Sequence, residues 1–263
     1  MQDLKQEFDY DVIILNTKSR MFAYYNPHLE EADGCWFPKD FNNCKIPKIM
    51  IEEDYHYEKN DNWYLEVGID LMLQRHYSGF TKGKEWNNIK TLWFPFSVDT
   101  NIFKPNFELD RIKKICLVGS STYVYIHRRI MEKILKEQDL IVKLDTQLDD
   151  KYTKCLQSYV SHLNCSSIYH ISPAKMFEIM ASGSILFTND ALDYGLQYLF
   201  KKNSYCTYKE DGSDVISKAQ MIINDKEYRK EVINNALKCI KEKHTNEIRT
   251  RELLSIIHGE FKI

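Results

Sequence analysis

Residues 172–188 decide the fold of the second half of this chain, and they read SPAKMFEIMASGSILFT. Pro173 suits the first turn of a helix, and apolar residues then recur at helical spacing as far as Ala181. Gly183 can end such a helix in a left-handed turn. The apolar run over residues 184–188 is typical of a strand. The stretch therefore predicts a helix from Pro173 to about Ala181 that leads directly into a strand.

Strand and helix patterns alternate across the rest of this half. Further strands are predicted at Ile112–Gly119, Leu140–Leu144, Ser167–His170 and Tyr205–Tyr208, and further helices at residues 127–137, Asp149–Leu163, 215–223 and 228–240. Strands separated by helices imply right-handed crossovers and a parallel sheet. The second half is therefore predicted to be Rossmann-like.

The first half is less regular. Its apolar strand candidates are Asp11–Asn16, Ile46–Glu52, Ile69–Leu73 and Ile89–Phe94, joined by long aromatic and acidic connections. Prolines bracket a polar stretch near residues 95–110, which favours a domain boundary there. We predict a reduced α/β domain over residues 1–105 and a Rossmann-like domain over residues 106–263.

Composition excludes several classes of protein. Apolar residues make up 43% of the chain, enough for a packed core, and the apolar runs are too short to span a bilayer. No positively charged segment precedes an apolar one at the N-terminus, so no secretory signal is expected. The seven cysteines include no Cys-x-x-Cys pair, which predicts neither a disulfide scaffold nor a zinc cluster. We expect a reduced, cytoplasmic protein that binds no metal.

Charge is unevenly distributed between the two halves. Residues 1–108 contain 12 Lys and Arg against 18 Asp and Glu, a balance of −6, and residues 109–263 contain 24 against 20, a balance of +4. The second half is therefore the one able to attract a diphosphate, whereas the first should repel a polyanion such as DNA. A chance difference between solvated faces is the alternative explanation.

Two predicted strand ends carry groups that can bind an anion, since ligands of a parallel sheet bind at the carboxyl ends of its strands. Gly119 and Ser120 form a small-residue turn whose amides can approach a phosphate, and Arg128 or Arg129 can clamp it. The alternative is an ordinary turn with two exposed arginines.

The helix that begins after Ser172 is the second such segment. Lys175 lies in its first turn, where the helix dipole disfavours a cation unless an anion is shared. Glu178 follows on the same helix, and its carboxylate can accept both hydroxyls of a ribose. The alternative for these two residues is a solvated helix face.

The run Lys175–Leu186, KMFEIMASGSIL, resembles the donor-site signature of group-1 glycosyltransferases, in which a basic residue, an aromatic residue and Glu precede a small-residue turn into a strand. The branch that it most resembles contains the spore-maturation-type glycosyltransferase-like proteins. Three more segments resemble family elements and occur in the family's order. Phe94–Pro105 resembles the junction between the domains, and Gly119 with Arg128 or Arg129 resembles the Gly-turn-plus-Arg element. Lys243–Thr245 with Arg249 or Arg251 resembles the C-terminal His-Thr…Arg helix.

The resemblance implies a GT-B-like α/β fold, with two Rossmann-like domains facing a cleft, the N-terminal one reduced, and a last helix able to pack back on the N-terminal domain. It also implies that Glu178 binds the donor ribose, and that Lys175 with an arginine binds the diphosphate. Ser172 and His170 fall in the same donor segment. Retaining members carry a glutamate where this chain has His170, so the stereochemical outcome stays open.

In the first half, Asp54 and His56 resemble the family's Asp-x-His segment, which lines the cleft opposite the donor. Carboxylate and imidazole groups could act as a base toward an acceptor hydroxyl or position the donor sugar. A polar exit from a strand is an equal alternative for both residues.

The function predicted from these features is transfer of a sugar from a nucleoside diphosphate sugar, with a UDP-sugar as co-substrate and no other cofactor, to a hydroxyl of a glycan or of a lipid- or protein-linked acceptor. Metal-independent transfer is expected, because the only Asp-x-Asp match, at residues 9–11, precedes its predicted strand. Two alternatives stay open: a phage-type DNA glycosyltransferase, which the charge of residues 1–108 disfavours, and a non-catalytic GT-B-fold binding protein.

Overall fold

The computed structural model describes residues 11–16, 41–53, 63–81, 89–165, 168, 170–190 and 195–262. The chain divides into two units, Met1–Pro95 with Leu253–Ile263, and Phe96–Glu252. Both are built on parallel sheets of apolar strands. No helix in the described parts of the chain is long and apolar enough to cross a bilayer.

The first unit contains a parallel sheet with the strand order β1-β2-β3-β4. Its elements are β1 (Ile13–Asn16), β2 (Lys48–Glu52), α1 (Trp63–Val67), β3 (Leu71–Gln74), α2 (Tyr77–Thr81) and β4 (Lys90–Trp93), with a 3₁₀ turn at Phe41–Asn43. All four strands predicted for this half are confirmed, with ends moved by two residues at most.

The two central strands of the first sheet, β2 and β3, are buried on both faces, which explains why their inner residues are mostly apolar. On one face Met50 packs with Leu15 and Met72, its partners in the neighbouring strands. On the other face Ile49 and Leu71 pack in a cluster with Ile257, from the last helix.

The second unit contains a five-stranded parallel sheet in the order β6-β5-β7-β8-β9. Its strands are β5 (Ile112–Val118), β6 (Ile141–Leu144), β7 (Tyr159–Leu163), β8 (Ile185–Asn189) and β9 (Cys206–Tyr208). Its helices are α3 (Ile126–Glu137), α4 (Asp149–Ser158), α5 (Ala174–Ala181), α6 (Leu196–Leu199), α7 (Val215–Asn224), α8 (Lys226–Lys243) and the start of α9 (Asn246–Phe261), which continues into the first unit. The strand order reverses between β5 and β7, as in flavodoxin-like doubly wound sheets.

The helix and strand predicted over residues 173–188 are confirmed. Gly183 has a φ of +71°, and its amide donates to the carbonyl of Met180, so the glycine ends α5 in a left-handed turn. A Cβ added at this position would lie 2.8 Å from Cβ of Pro105. The turn between α5 and β8 therefore requires glycine for both conformation and space.

Two of the predictions for the second half are wrong. The helix predicted over Asp149–Leu163 ends at Ser158, and Tyr159–Leu163 forms β7. The strand predicted at Ser167–His170 is absent where the structure describes it, because Ile168 lies in a turn and His170 has a φ of +55°. Ser167 and Tyr169 lie outside the described residues.

Candidate functional site

A cavity of about 210 Å³ lies in the second unit where the strand order reverses. Gly119 and Ser120, which follow β5, line one side of it, and Asn164 and Cys165, which follow β7, line another. The carboxyl ends of the strands at such a reversal form the crevice in which open parallel sheets bind ligands. Ile171, Pro173 and Lys175 also line the cavity, at the start of α5.

Gly119 permits a close approach of Lys175. The glycine has a φ of +104°, and a Cβ added to it would lie 3.3 Å from Nζ of Lys175. The ammonium group donates to the carbonyl of Val118 at 3.1 Å. The turn after β5 and the first turn of α5 are thus joined by one cation at the cavity.

Arg128 is fixed in the cavity wall although it carries a charge. Its side chain is 6% exposed, and its guanidinium donates to the carbonyl of Ser120 at 2.9 Å and lies 4.1 Å from the centre of the Tyr125 ring. Weaker bonds of 3.4 Å reach Oδ1 of Asn164 and the carbonyl of Cys165. The arginine therefore braces the turns after β5 and β7 against each other.

The cavity wall also contains donors that lack acceptors. Nε of Arg128 and Nδ2 of Asn164 are buried and have no hydrogen-bond partner among the residues that the structure describes. Buried donors are normally paired, because burying one without a partner costs about 1–3 kcal/mol. The described lining residues include two cations, Arg128 and Lys175, and no carboxylate. The wall is therefore suited to an anion.

Arg129 lies elsewhere. It is exposed and lines a separate surface depression of about 600 Å³ together with Lys133 and Lys136. Adjacent helical residues point in directions about 100° apart, so only one of the two arginines can face the cavity. Of the two residues left open by the sequence, Arg128 is the one in the cavity wall.

Glu178 belongs to a chain of contacts that leads to Lys175. The hydroxyl of Tyr152 donates to Oε2 of Glu178 at 2.7 Å, and Nζ of Lys175 lies 5.6 Å from the centre of the Tyr152 ring. Burial raises the pKa of Glu178, opposed by the Tyr152 hydrogen bond and by Lys175. Burial, followed by the charge of Arg128, lowers the pKa of Lys175. An anion bound between the two cations would relieve their mutual repulsion.

The other predicted site residues fall into two groups. Ser172 is buried and His170 is half-buried, on the loop that supplies Ile171 and Pro173 to the cavity. Asp54 and His56 lie outside the described residues, which stop at Glu53 after β2.

Two polar residues of this region were missed by the sequence analysis. Asn164 directly follows β7, a strand that the pattern assigned to a helix, so its position at a strand end was hidden. Tyr152 lies in α4, and no sequence motif singles it out. Its spacing of three from Cys155, which is buried in the same helix, is the signal that could have placed it on the inner face.

The family model described as glycosyl transferase-like matches residues 124–255, just over half of the chain. The chain belongs to this glycosyltransferase family. No curated protein sequence matches the chain at a significant level.

Solved glycosyltransferase structures share the fold of most of the chain. Sucrose-phosphate synthase from Thermosynechococcus elongatus is 12% identical, with a TM-score of 0.63 over 98% of this chain and 75% of that one. A glycosyltransferase from Rickettsia africae is 11% identical, with a TM-score of 0.64 over 97% of this chain and 78% of that one. HepE from Anabaena, in complex with UDP-glucose, is 11% identical, with a TM-score of 0.58 over 81% of this chain and 72% of that one.

These similarities confirm two predictions. The chain is a group-1 glycosyltransferase, and its fold is of the GT-B type. The resemblance to the spore-maturation-type branch stays a prediction.

Proposed function

We propose that this glycosyltransferase transfers a hexose-like group from a UDP-sugar to a hydroxyl of a glycan or of a lipid- or protein-linked acceptor. The observation that carries the proposal is the cavity at the strand-order reversal, with Arg128, Lys175 and two unpaired buried donors in its wall. HepE, whose fold is similar, has been solved with UDP-glucose, which supports uridine as the base.

The diphosphate is assigned to the cavity itself. Arg128 can bind a phosphate through a fork of hydrogen bonds, and Lys175 supplies a second positive charge. The amides after Gly119 and the N-terminus of α5 add partial positive charge at the same place. Once the bond to the sugar breaks, these groups would stabilise the charge on the leaving diphosphate without a metal ion there.

The ribose is assigned to Glu178. Its carboxylate is on the same helix as Lys175, and the hydroxyl of Tyr152 holds one of its oxygens at 2.7 Å. Ser172 and His170 stay proposed as donor-side residues, and Asp54 and His56 as the acceptor-side pair. The donor side is assigned to residues 106–263 and the acceptor side to residues 1–105.

Titration calorimetry with UDP-glucose tests the diphosphate assignment through Arg128→Lys and its matched control, Arg129→Lys. Lysine keeps the charge but loses the fork, so we expect Arg128→Lys to lose one charge-assisted hydrogen bond, about 1.5–3 kcal/mol, which weakens binding roughly 10- to 150-fold. Arg129→Lys should bind like the unmodified protein. Equal affinities for the two variants would show that the diphosphate binds elsewhere.

Release of UDP separates the enzyme from a protein that only binds nucleotide sugars. We expect slow hydrolysis of UDP-glucose by the purified protein, at an unchanged rate in EDTA. A protein that binds UDP-glucose but never releases UDP, with or without added glycan or lipid acceptors, would contradict the catalytic part of the proposal. A gel shift with duplex DNA at low salt tests the acceptor, and tight binding there would favour DNA instead.

A further inference from the structure

Three metal-binding side chains converge in the core of the second unit. They are Cys116 on β5, Cys155 on α4 and His162 on β7, and one potential ligand atom from each lies within 4.8 Å of the other two. The residues are 0%, 8% and 2% exposed. They do not line the cavity described above, and no local sequence motif joins them.

One ring nitrogen of His162, Nδ1, is bonded to Ser184, and the other, Nε2, carries the lone pair. Nδ1 lies 2.8 Å from Oγ of Ser184, whose hydroxyl donates to the carbonyl of Tyr159 at 3.2 Å. Since the serine proton is used there, Nδ1–H is the donor to Oγ. Nε2 is then an acceptor, and the thiol of Cys155 is the group that bonds to this buried ring besides Ser184.

This arrangement is the one that metal-bound histidines have. Such a histidine usually donates its second ring nitrogen to an oxygen of the protein, which fixes the tautomer and turns the lone pair toward the metal. Ser184 provides that oxygen.

The spacing of the two sulfur atoms also fits a metal ion. Sγ of Cys116 and Sγ of Cys155 are 3.9 Å apart. Two ligands at the Zn–S distance of about 2.3 Å in a tetrahedral site lie about 3.8 Å apart. A disulfide needs a distance of about 2.0 Å and therefore a shift of both elements.

We propose that Cys116 Sγ, Cys155 Sγ and His162 Nε2 bind one Zn²⁺ ion. Each thiol releases its proton to solvent as its sulfur binds the metal, so two thiolates balance the charge of the ion and no net charge is buried. The ion joins β5, α4 and β7, from which Gly119, Tyr152 and Asn164 extend to the cavity region. The site does not depend on the proposed sugar donor.

Metal analysis of the purified protein tests the site directly. After loading with Zn²⁺ and gel filtration, we expect one Zn²⁺ per chain by mass spectrometry, and loss of the metal in Cys155→Ser and in His162→Gln. Cys239→Ser is the matched control, because Cys239 is as buried as Cys116 but lies outside the cluster, and it should keep the metal. An unmodified protein without zinc, or zinc retained in both cluster variants, would overturn the proposal.

Cobalt substitution makes the test independent of whether the variants fold. The unmodified protein loaded with Co²⁺ should show a thiolate-to-metal charge-transfer band in the near ultraviolet and should melt at a higher temperature than the metal-free protein. Absence of the band, with Co²⁺ bound or unbound, would mean that the two thiols do not bind metal. Either result can be read without a functional assay and leaves the UDP-sugar proposal unaffected.

Discussion

Part of the acid sensitivity of the protein should come from a buried histidine, His244. Its side chain is 4% exposed, its Nε2–H donates to the carbonyl of Leu199 at 2.7 Å, and the guanidinium of Arg249 lies 3.4 Å from Nδ1. Protonating Nδ1 would set two cationic donors against each other. Burial, with Arg249 and Lys243 adding repulsion, lowers the pKa of His244 to about 4.

The direction of the effect follows from the two pKa values. In the unfolded chain the imidazole takes up a proton near pH 6.5, whereas in the folded protein it does so only near pH 4. The unfolded state therefore binds more protons between these values, and the stability present above pH 6.5 is lost as the pH falls. Integration from pH 7 to pH 5 gives a loss of about 2 kcal/mol in the free energy of unfolding.

Urea unfolding at pH 7 and pH 5 measures this loss, with His244→Gln as the test variant. The glutamine amide can still donate to Leu199 but does not titrate, so the variant should lose about 2 kcal/mol less than the unmodified protein between the two pH values. His258→Gln, at an exposed position of α9, is the control and should lose as much as the unmodified protein. If the variant at His244 loses the same amount, the histidine is not held neutral in the folded state.

Three further predictions concern other positions. Glu178→Gln, which keeps the shape but removes the charge, should weaken UDP-glucose binding about tenfold or more by calorimetry, and unchanged affinity would remove the residue from the ribose site. Gly183→Ala should lower the free energy of unfolding by about 1–3 kcal/mol, because the added Cβ meets Pro105 and the position has a positive φ. Gly259→Ala should raise the free energy of unfolding by about 0.5–1 kcal/mol, because the space around Gly259 in its helix is open. Urea unfolding that ranks these two alanine variants the other way would contradict the packing at the α5–β8 turn. Asp225→Ala should cost about 1 kcal/mol in the same assay, since its carboxylate caps α8, and a neutral result would mean that the cap is not formed in solution.

Most of the fold could be predicted because its strands are apolar and its helices amphipathic. The strand β7 was missed, since Ser161 and His162 make residues 159–163 look polar. Both side chains are buried and bonded to the neighbouring β8 region, Ser161 to the carbonyl of Ile185 and His162 to Ser184. A strand whose polar groups are satisfied by its neighbour cannot be recognised from its own residues.

The site was only partly predictable for a similar reason. The sequence could not decide whether Arg128 or Arg129 faces the predicted phosphate site, because both lie at the start of the same predicted helix. Arg128, Met131 and Leu135 are the buried residues of α3, and their spacing of three and seven places the arginine on the inner face. The pattern could therefore have chosen Arg128, but a charged residue is not normally counted as part of an apolar face.

The cavity is built from a single continuous part of the chain, from Gly119 to Lys175. This one segment of the chain therefore contains the two cations, the glycine turn and the unpaired donors of the cavity. If the donor binds in this cavity and the acceptor against residues 1–105, as proposed above, mutations in residues 1–105 can change the acceptor during evolution without disturbing recognition of the donor. A lineage with this layout can diversify its products while it keeps a common activated precursor.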